Sequence, residues 1–217
     1  MRTDRLWSIL ILGIIISAGM PGATVRAQES EDPGEQGNAL LDEGDYDGAI
    51  EQFTQEIQLD SSDAMAYYDR GRAYEAKHDY DMAIADYSQS LELNPDDAAA
   101  RNNRGNAYAA QGHYDTAIPD YDEALRLDPN YPAAYHNRGL AHYNLGDYGM
   151  AIKDFDQALS LNSSLARTIY LRACACDLAG RTAEALDGYK HFVAVASPED
   201  SDFVVQVKAR IQDLKTQ

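Results

Sequence analysis

The chain has 217 residues, 45% hydrophobic and 25% charged, enough for one folded domain with its own core. Acidic residues outnumber basic ones 36 to 18, a net charge of −18, so a nucleic-acid backbone or an anionic membrane surface would be repelled. Basic, neutral and extended-peptide partners remain.

The chain opens with a basic start (Arg2, Arg5), a 14-residue apolar run from Leu6 to Gly19, and a helix-breaking Met20-Pro21-Gly22. The run is shorter than the ~18 residues a spanning helix needs, and Val25-Arg26-Ala27 ends in a small-x-small pattern. A signal peptide over 1–27, cleaved after Ala27, is therefore expected; an uncleaved anchor is the alternative. Cleavage removes three arginines and one aspartate and moves the net charge from −18 to −20. The expected location is the periplasm or the exterior, with no membrane insertion after cleavage. Pro33-Gly34 falls where a first helix would begin, so residues 28–36 are expected to form a linker.

From there the sequence repeats every 34 residues. Tyr68-Asp-Arg-Gly-Arg-Ala-Tyr74, Asn102-Asn-Arg-Gly-Asn-Ala-Tyr108 and His136-Asn-Arg-Gly-Leu-Ala-His142 share Arg-Gly-x-Ala. Asp79-Tyr-Asp-Met-Ala-Ile84, His113-Tyr-Asp-Thr-Ala-Ile118 and Asp147-Tyr-Gly-Met-Ala-Ile152 keep the same step. Small residues at two facing places let paired helices approach while an aromatic fills the space beside them. Helix breaks are predicted at Gly44, Gly112, Gly146 and Gly180, and at Asn94-Pro95 and Asp128-Pro129. Pro119 sits early in a second helix, where a missing N–H is least costly.

This pattern resembles the tetratricopeptide repeat, a helix-turn-helix unit. In frames 30–63, 64–97, 98–131, 132–165 and 166–199, the eighth place holds Gly37, Gly71, Gly105, Gly139 and Ala173. The twentieth is always Ala, and the twenty-fourth is Phe53, Tyr87, Tyr121, Phe155 and Tyr189. The resemblance implies an all-α, right-handed superhelical solenoid over 37–217. Its fifth unit departs from the pattern, with Thr182 for the usual aromatic and Phe192 for the usual small residue. Beyond it, Phe203, Val207, Ile211 and Leu214 fall on one helical face, a capping helix over about 200–215.

No phosphate loop, nucleophile elbow or His-Glu-x-x-His helix occurs, so a non-enzymatic protein without a cofactor is expected. Cys174 and Cys176 point ~200° apart on a helix, which disfavours a disulfide between them, and the five histidines lack metal-ligand spacing. Arg70, Arg104, Arg138 and Arg172 share the seventh place, with Asp86, Asp120 and Asp154 at the twenty-third. Internal pairing of these groups is the first expectation, and a ladder for an acidic ligand the second.

In the family the first helices line the concave face through the second, fifth, sixth, ninth, twelfth and thirteenth places. The resemblance carries this role to Tyr68, Arg72, Asn102, Asn103, Asn106, His136, Asn137, Tyr143, Asn144 and Arg167. Amides donate and accept, so such a row suits the main chain of an extended peptide. Asn106, Asn137 and Arg167 also match three places of the carboxylate clamp of some relatives. Asn102 and Leu171 stand where that clamp needs basic residues, so chaperone-tail binding is not expected. The function expected is a protein–protein interaction scaffold; a self-associating subunit of an envelope assembly, a homo-oligomer, is the alternative.

Overall fold

The computed structural model describes residues 32–197 and 201–216. Among them are eleven α-helices and no strand. The first unit holds α1 (Pro33–Glu43) and α2 (Tyr46–Leu59), the second α3 (Ala64–Ala76) and α4 (Tyr80–Leu93), the third α5 (Ala98–Ala110) and α6 (Tyr114–Leu127). The fourth holds α7 (Pro132–Leu145) and α8 (Tyr148–Leu161), the fifth α9 (Ala166–Leu178) and α10 (Thr182–Val195), and α11 (Ser201–Lys215) follows.

Every helix packs on the next in the chain, and the contacts that skip a helix are α1 on α3, α3 on α5, α5 on α7 and α7 on α9. Even-numbered helices never meet one another. The odd-numbered helices are therefore the crowded inner row and the even-numbered ones the spread outer row of an all-helical solenoid.

Within each unit the turn is set by one residue of positive φ: Gly44, Gly112, Gly146 and Gly180 lie between +73° and +86°. His78 holds the same place at +62°, a conformation that costs a side chain more than glycine. The pairing of the two helices rests on missing atoms. A Cβ on Gly105 would lie 2.7 Å from Cε1 of the buried Tyr121 ring, and Gly37, Gly71 and Gly139 meet their aromatics just as closely. The fifth unit reverses the arrangement: the glycine is Gly188, where a Cβ would lie 2.8 Å from that of Ala173. Gly188 occupies the place where the three central units carry Asp, so Arg172 has no acid of its own unit at that place.

The other arginines do. Arg70, Arg104 and Arg138 each grip the Asp of their own unit with two bonds, at 2.7 and 2.7 Å to Asp86, 2.8 and 2.7 Å to Asp120, and 3.0 and 2.6 Å to Asp154. The remaining nitrogen of each reaches back one unit, to Thr54 and Ser88 at 3.1 Å and to Asp122 at 2.6 Å. Arg172 uses that backward bond too, on Asp156. These arginines thus tie successive units together, and they do not form a ladder open to a ligand.

One expectation needs correction here. Residues 33–36 are helical and not linker: Asp32 accepts from the Gly34 amide at 3.2 Å as N-cap, and Pro33 takes the first helical position, where its missing N–H has no helix partner to lose. The signal peptide and residues 28–31 of the expected linker lie outside the described residues. Phe192, for its part, packs in the core, where it meets Tyr170 at 5.4 Å and Phe203 of α11 at 5.6 Å between ring centroids. With the buried Val207, Ile211 and Leu214, α11 covers the end of the stack. Pro119 lies on the exposed side of α6, which runs unbroken through it.

Candidate functional site

The inner row of odd helices presents the expected groove residues, but the structure sorts them into four kinds. The first is a chain of hydrogen bonds across three units. Asn103 Nδ2 donates to the Tyr68 hydroxyl at 3.1 Å, Asn102 Nδ2 to Asn103 Oδ1 at 3.1 Å, and Asn137 Nδ2 to Asn102 Oδ1 at 3.0 Å. Asn102 is only 3% exposed, so the expectation that it faces the groove is corrected. Its short side chain lies beneath the residues that bond to it, and both of its amide groups are used within the fold. Asn103 and Asn137 are half-buried members of the same chain and not fully solvent-facing.

The second kind is a cleft of about 240 Å³ between α5 and α7, lined by Asn106, Ala109, Ala110, Asn137, Leu140 and Asn144 among others. Asn106 Oδ1 accepts from the Tyr121 hydroxyl at 3.0 Å, which leaves its Nδ2 donors to the cleft. Asn137 gives one Nδ2 hydrogen to Asn102, and its Oδ1 acceptor has no partner among the described residues. Asn144, exposed, donates to the Leu140 carbonyl at 2.8 Å.

The third is a cavity of about 580 Å³ between the starts of α7 and α9. Tyr131, Pro132, Ala133, Leu165 and Ala166 give it apolar walls, and His136, Asn137 and Arg167 join them. The His136 ring nitrogen Nδ1 lies 2.8 Å from Thr168 Oγ1, and burial, aided by the Arg167 charge, pushes the imidazole below its ordinary pKa. It is therefore neutral near pH 7. Asn137 lines both spaces, so the cleft and the cavity meet at one side chain.

Tyr68, Arg72 and Tyr143 stand apart from both spaces. Arg72 donates to Asp69 at 2.9 Å and lies 5.9 Å from the Tyr68 ring centroid, while Tyr143 packs edge-on against Tyr148 at 5.7 Å. At this end Glu75 accepts from the Tyr87 hydroxyl at 2.6 Å, and burial raises its pKa.

Sequence reasoning missed the loop residues Tyr131 and Leu165. The signal was there: the last place of a unit is Asp63, Asp97, Tyr131 and Leu165 in turn, a switch from acid to apolar at the side where the large cavity opens. Among the described residues no group of three His, Cys, Asp or Glu side chains could hold a metal ion, and no helix is long and apolar enough to cross a membrane.

Models of the TPR repeat match residues 37–78, 71–112 and 105–146, and a model of the tetratricopeptide repeat matches 132–165. They cover more than half of the chain, which belongs to the tetratricopeptide repeat family, whose members are protein-interaction scaffolds. No curated protein sequence matches significantly. Among solved structures, the crystal structure of MamA protein is 21% identical with a TM-score of 0.70, over 79% of this chain and 93% of that one. YrrB, described as a TPR protein with an unusual peptide-binding site, is 20% identical with a TM-score of 0.69, over 82% and 90%. TTC0263, a thermophilic TPR protein in Thermus thermophilus, is 23% identical with a TM-score of 0.61, over 85% and 98%. At these identities the likeness shows the fold alone.

Proposed function

We propose that the protein is a non-enzymatic adaptor that holds an extended segment of another polypeptide along the inner row, over α5, α7 and the start of α9. One observation carries this reading: Asn106 offers unspent donors and Asn137 an unspent acceptor into the same cleft. A peptide main chain presents the complementary acceptor and donor at every residue, so the pair recognises backbone and leaves side chains loosely specified. The fold pre-positions both amides, because each is held by one hydrogen bond inside the protein. The peptide-binding site named for YrrB supports the same use of the fold.

Ala110 and Asn144 are exposed on this wall. Changing both to Arg fills the cleft with two long side chains from surface positions, so folding stability should move by no more than about 0.5 kcal/mol per site. Binding of the partner segment should fall about tenfold or more. Unchanged binding at unchanged stability would move the site off the inner row.

Self-association is the reading with less support. The outward face of α1 is polar (Glu35, Asn38, Asp42), and α11 exposes Gln206, Lys208, Gln212 and Asp213. Apart from the exposed Val205, both described ends of the stack are thus polar and poorly suited to stacking on another copy. The basic start and apolar run of residues 1–27 support a location outside the cytoplasm, periplasmic or secreted. N-terminal sequencing of the native protein should begin at Gln28; a chain that retains Trp7 would contradict cleavage after Ala27.

A further inference from the structure

The cavity of about 580 Å³ lies at the corner where the loop before α7 meets the loop before α9. The corner one unit earlier shows what such a space is shaped to hold. There the last place of the unit is Tyr131, half-buried and packed against Ala124, Leu125 and Ala134. Burial, and then the charge of Asp97 at the start of α5, raises the pKa of its phenol, and Tyr68 of α3 feels that phenol in turn. The Tyr131 ring is thus directed back across the corner between α7 and α5. At the next corner the same place is Leu165, shorter by a ring edge and a hydroxyl, and the cavity stands open beside it. One unit brings its own aromatic to the corner, and the next brings none.

Charge points the same way. Nine of the ten arginines among the described residues have a carboxylate within 4.0 Å. Three of them also sit over a tyrosine ring, Arg70 over Tyr67 at 5.7 Å, Arg72 over Tyr68 at 5.9 Å and Arg138 over Tyr135 at 5.6 Å from the centroid. Arg167 is the tenth, exposed on the cavity wall, with neither an acid nor a ring among the described residues. A guanidinium is drawn to the face of an aromatic ring, where the ring quadrupole is negative. The remaining walls are uncharged: Tyr131, Pro132 and Leu165 are apolar, and the His136 imidazole is kept neutral by burial and by the Arg167 charge. A basic side chain would meet like charge there, and a carboxylate would exchange water for apolar walls.

We propose that this cavity takes an internal aromatic side chain, Tyr or Phe, of the bound segment, with its edge between Pro132 and Leu165 and its face against Arg167. The proposal rests on the groove reading and deepens it, because it names an anchor residue where the two asparagines recognise main chain alone. Asn137 lines both spaces, so a segment whose main chain bonds to Asn137 can send one side chain into the cavity while its neighbours stay in the cleft. The cavity is larger than one ring, which leaves room for the flanking main chain. An aliphatic side chain fills less of it and gives Arg167 no ring face. Neither a chain end nor a charge on the partner is required.

The test uses the full chain and synthetic peptides of about seven residues, acetylated and amidated so that no terminal charge contributes, with a central Phe, Tyr, Leu or Ala between random uncharged residues. The expected result is that Phe and Tyr peptides bind about tenfold more tightly than Ala peptides, with Leu peptides between them. The cavity can be closed in two ways. Leu165→Tyr repeats before α9 the residue that already stands before α7, and Ala133→Phe fills the space from an exposed position on α7. Each variant, once its melting temperature shows it folded, should lose the preference for Phe and Tyr and still bind Ala peptides as the parent does. Arg167→Met should weaken the Phe and Tyr peptides, and Arg167→Lys should keep most of their affinity. Equal binding of all four sets overturns the proposal, as does an aromatic preference that survives both closures, which would seat the ring elsewhere. If such indifferent binding is lost in the Ala110→Arg, Asn144→Arg protein, the groove stands and only the anchor falls. If no peptide binds, both fall.

Discussion

At the scale of single residues, the seventh-place arginines decide how firmly neighbouring units are joined. Arg104 donates two bonds to Asp120 and one to Ser88 of the preceding unit, with most of its side chain out of water. Arg104→Ala leaves the buried Asp120 with Arg101 at 3.7 Å as its nearest cation. An unpaired buried carboxylate is costly, and Arg101 compensates only at long range, so the loss should be about 2–3 kcal/mol, read as a lowered melting temperature. A variant that melts like the parent would show that the pair contributes nothing to the fold. The pairing within units was legible because the 34-residue period places Arg and Asp opposite each other across a hairpin. The backward bond to Thr54, Ser88, Asp122 and Asp156 was not, since that place holds a hydroxyl residue in two units and an aspartate in the next two.

At the scale of elements, the helices followed from the glycines, alanines and aromatics that recur in step. What escaped was where an element starts and what lies over a side chain. Pro33-Gly34 reads as a break by composition, yet proline is suited to the first position of a helix when Asp32 caps it. Asn102 reads as a groove residue because its place in other units holds Tyr68, His136 and Tyr170, which are long enough to reach the surface. A short amide at that place stays below it, and Asn137 from the next unit closes over it. Covering is a property of two adjacent repeats, and one repeat read alone does not contain it. The fifth unit makes the same point. Its Phe192 looks too large for a stacked repeat, but α11 follows it in place of a sixth unit and supplies Phe203 as the matching surface.

For the whole molecule, the solenoid converts a sequence period into two unlike faces. The outer row carries much of the acid, and the inner row narrows to a neutral strip with one uncommitted arginine at its end. That separation suits a binding scaffold: the acidic exterior discourages anionic polymers, while a neutral strip is matched to main chain. The central claim is that a bound segment lies on this strip, and the most direct measurement is amide chemical-shift mapping by NMR during titration with a binding peptide. The account predicts shifts confined to α5, α7 and the first turn of α9, with Asn106, Asn137 and Arg167 side chains among the largest. Shifts centred on the outer helices α6 and α8, or on α1 and α11 at the ends of the stack, would contradict it.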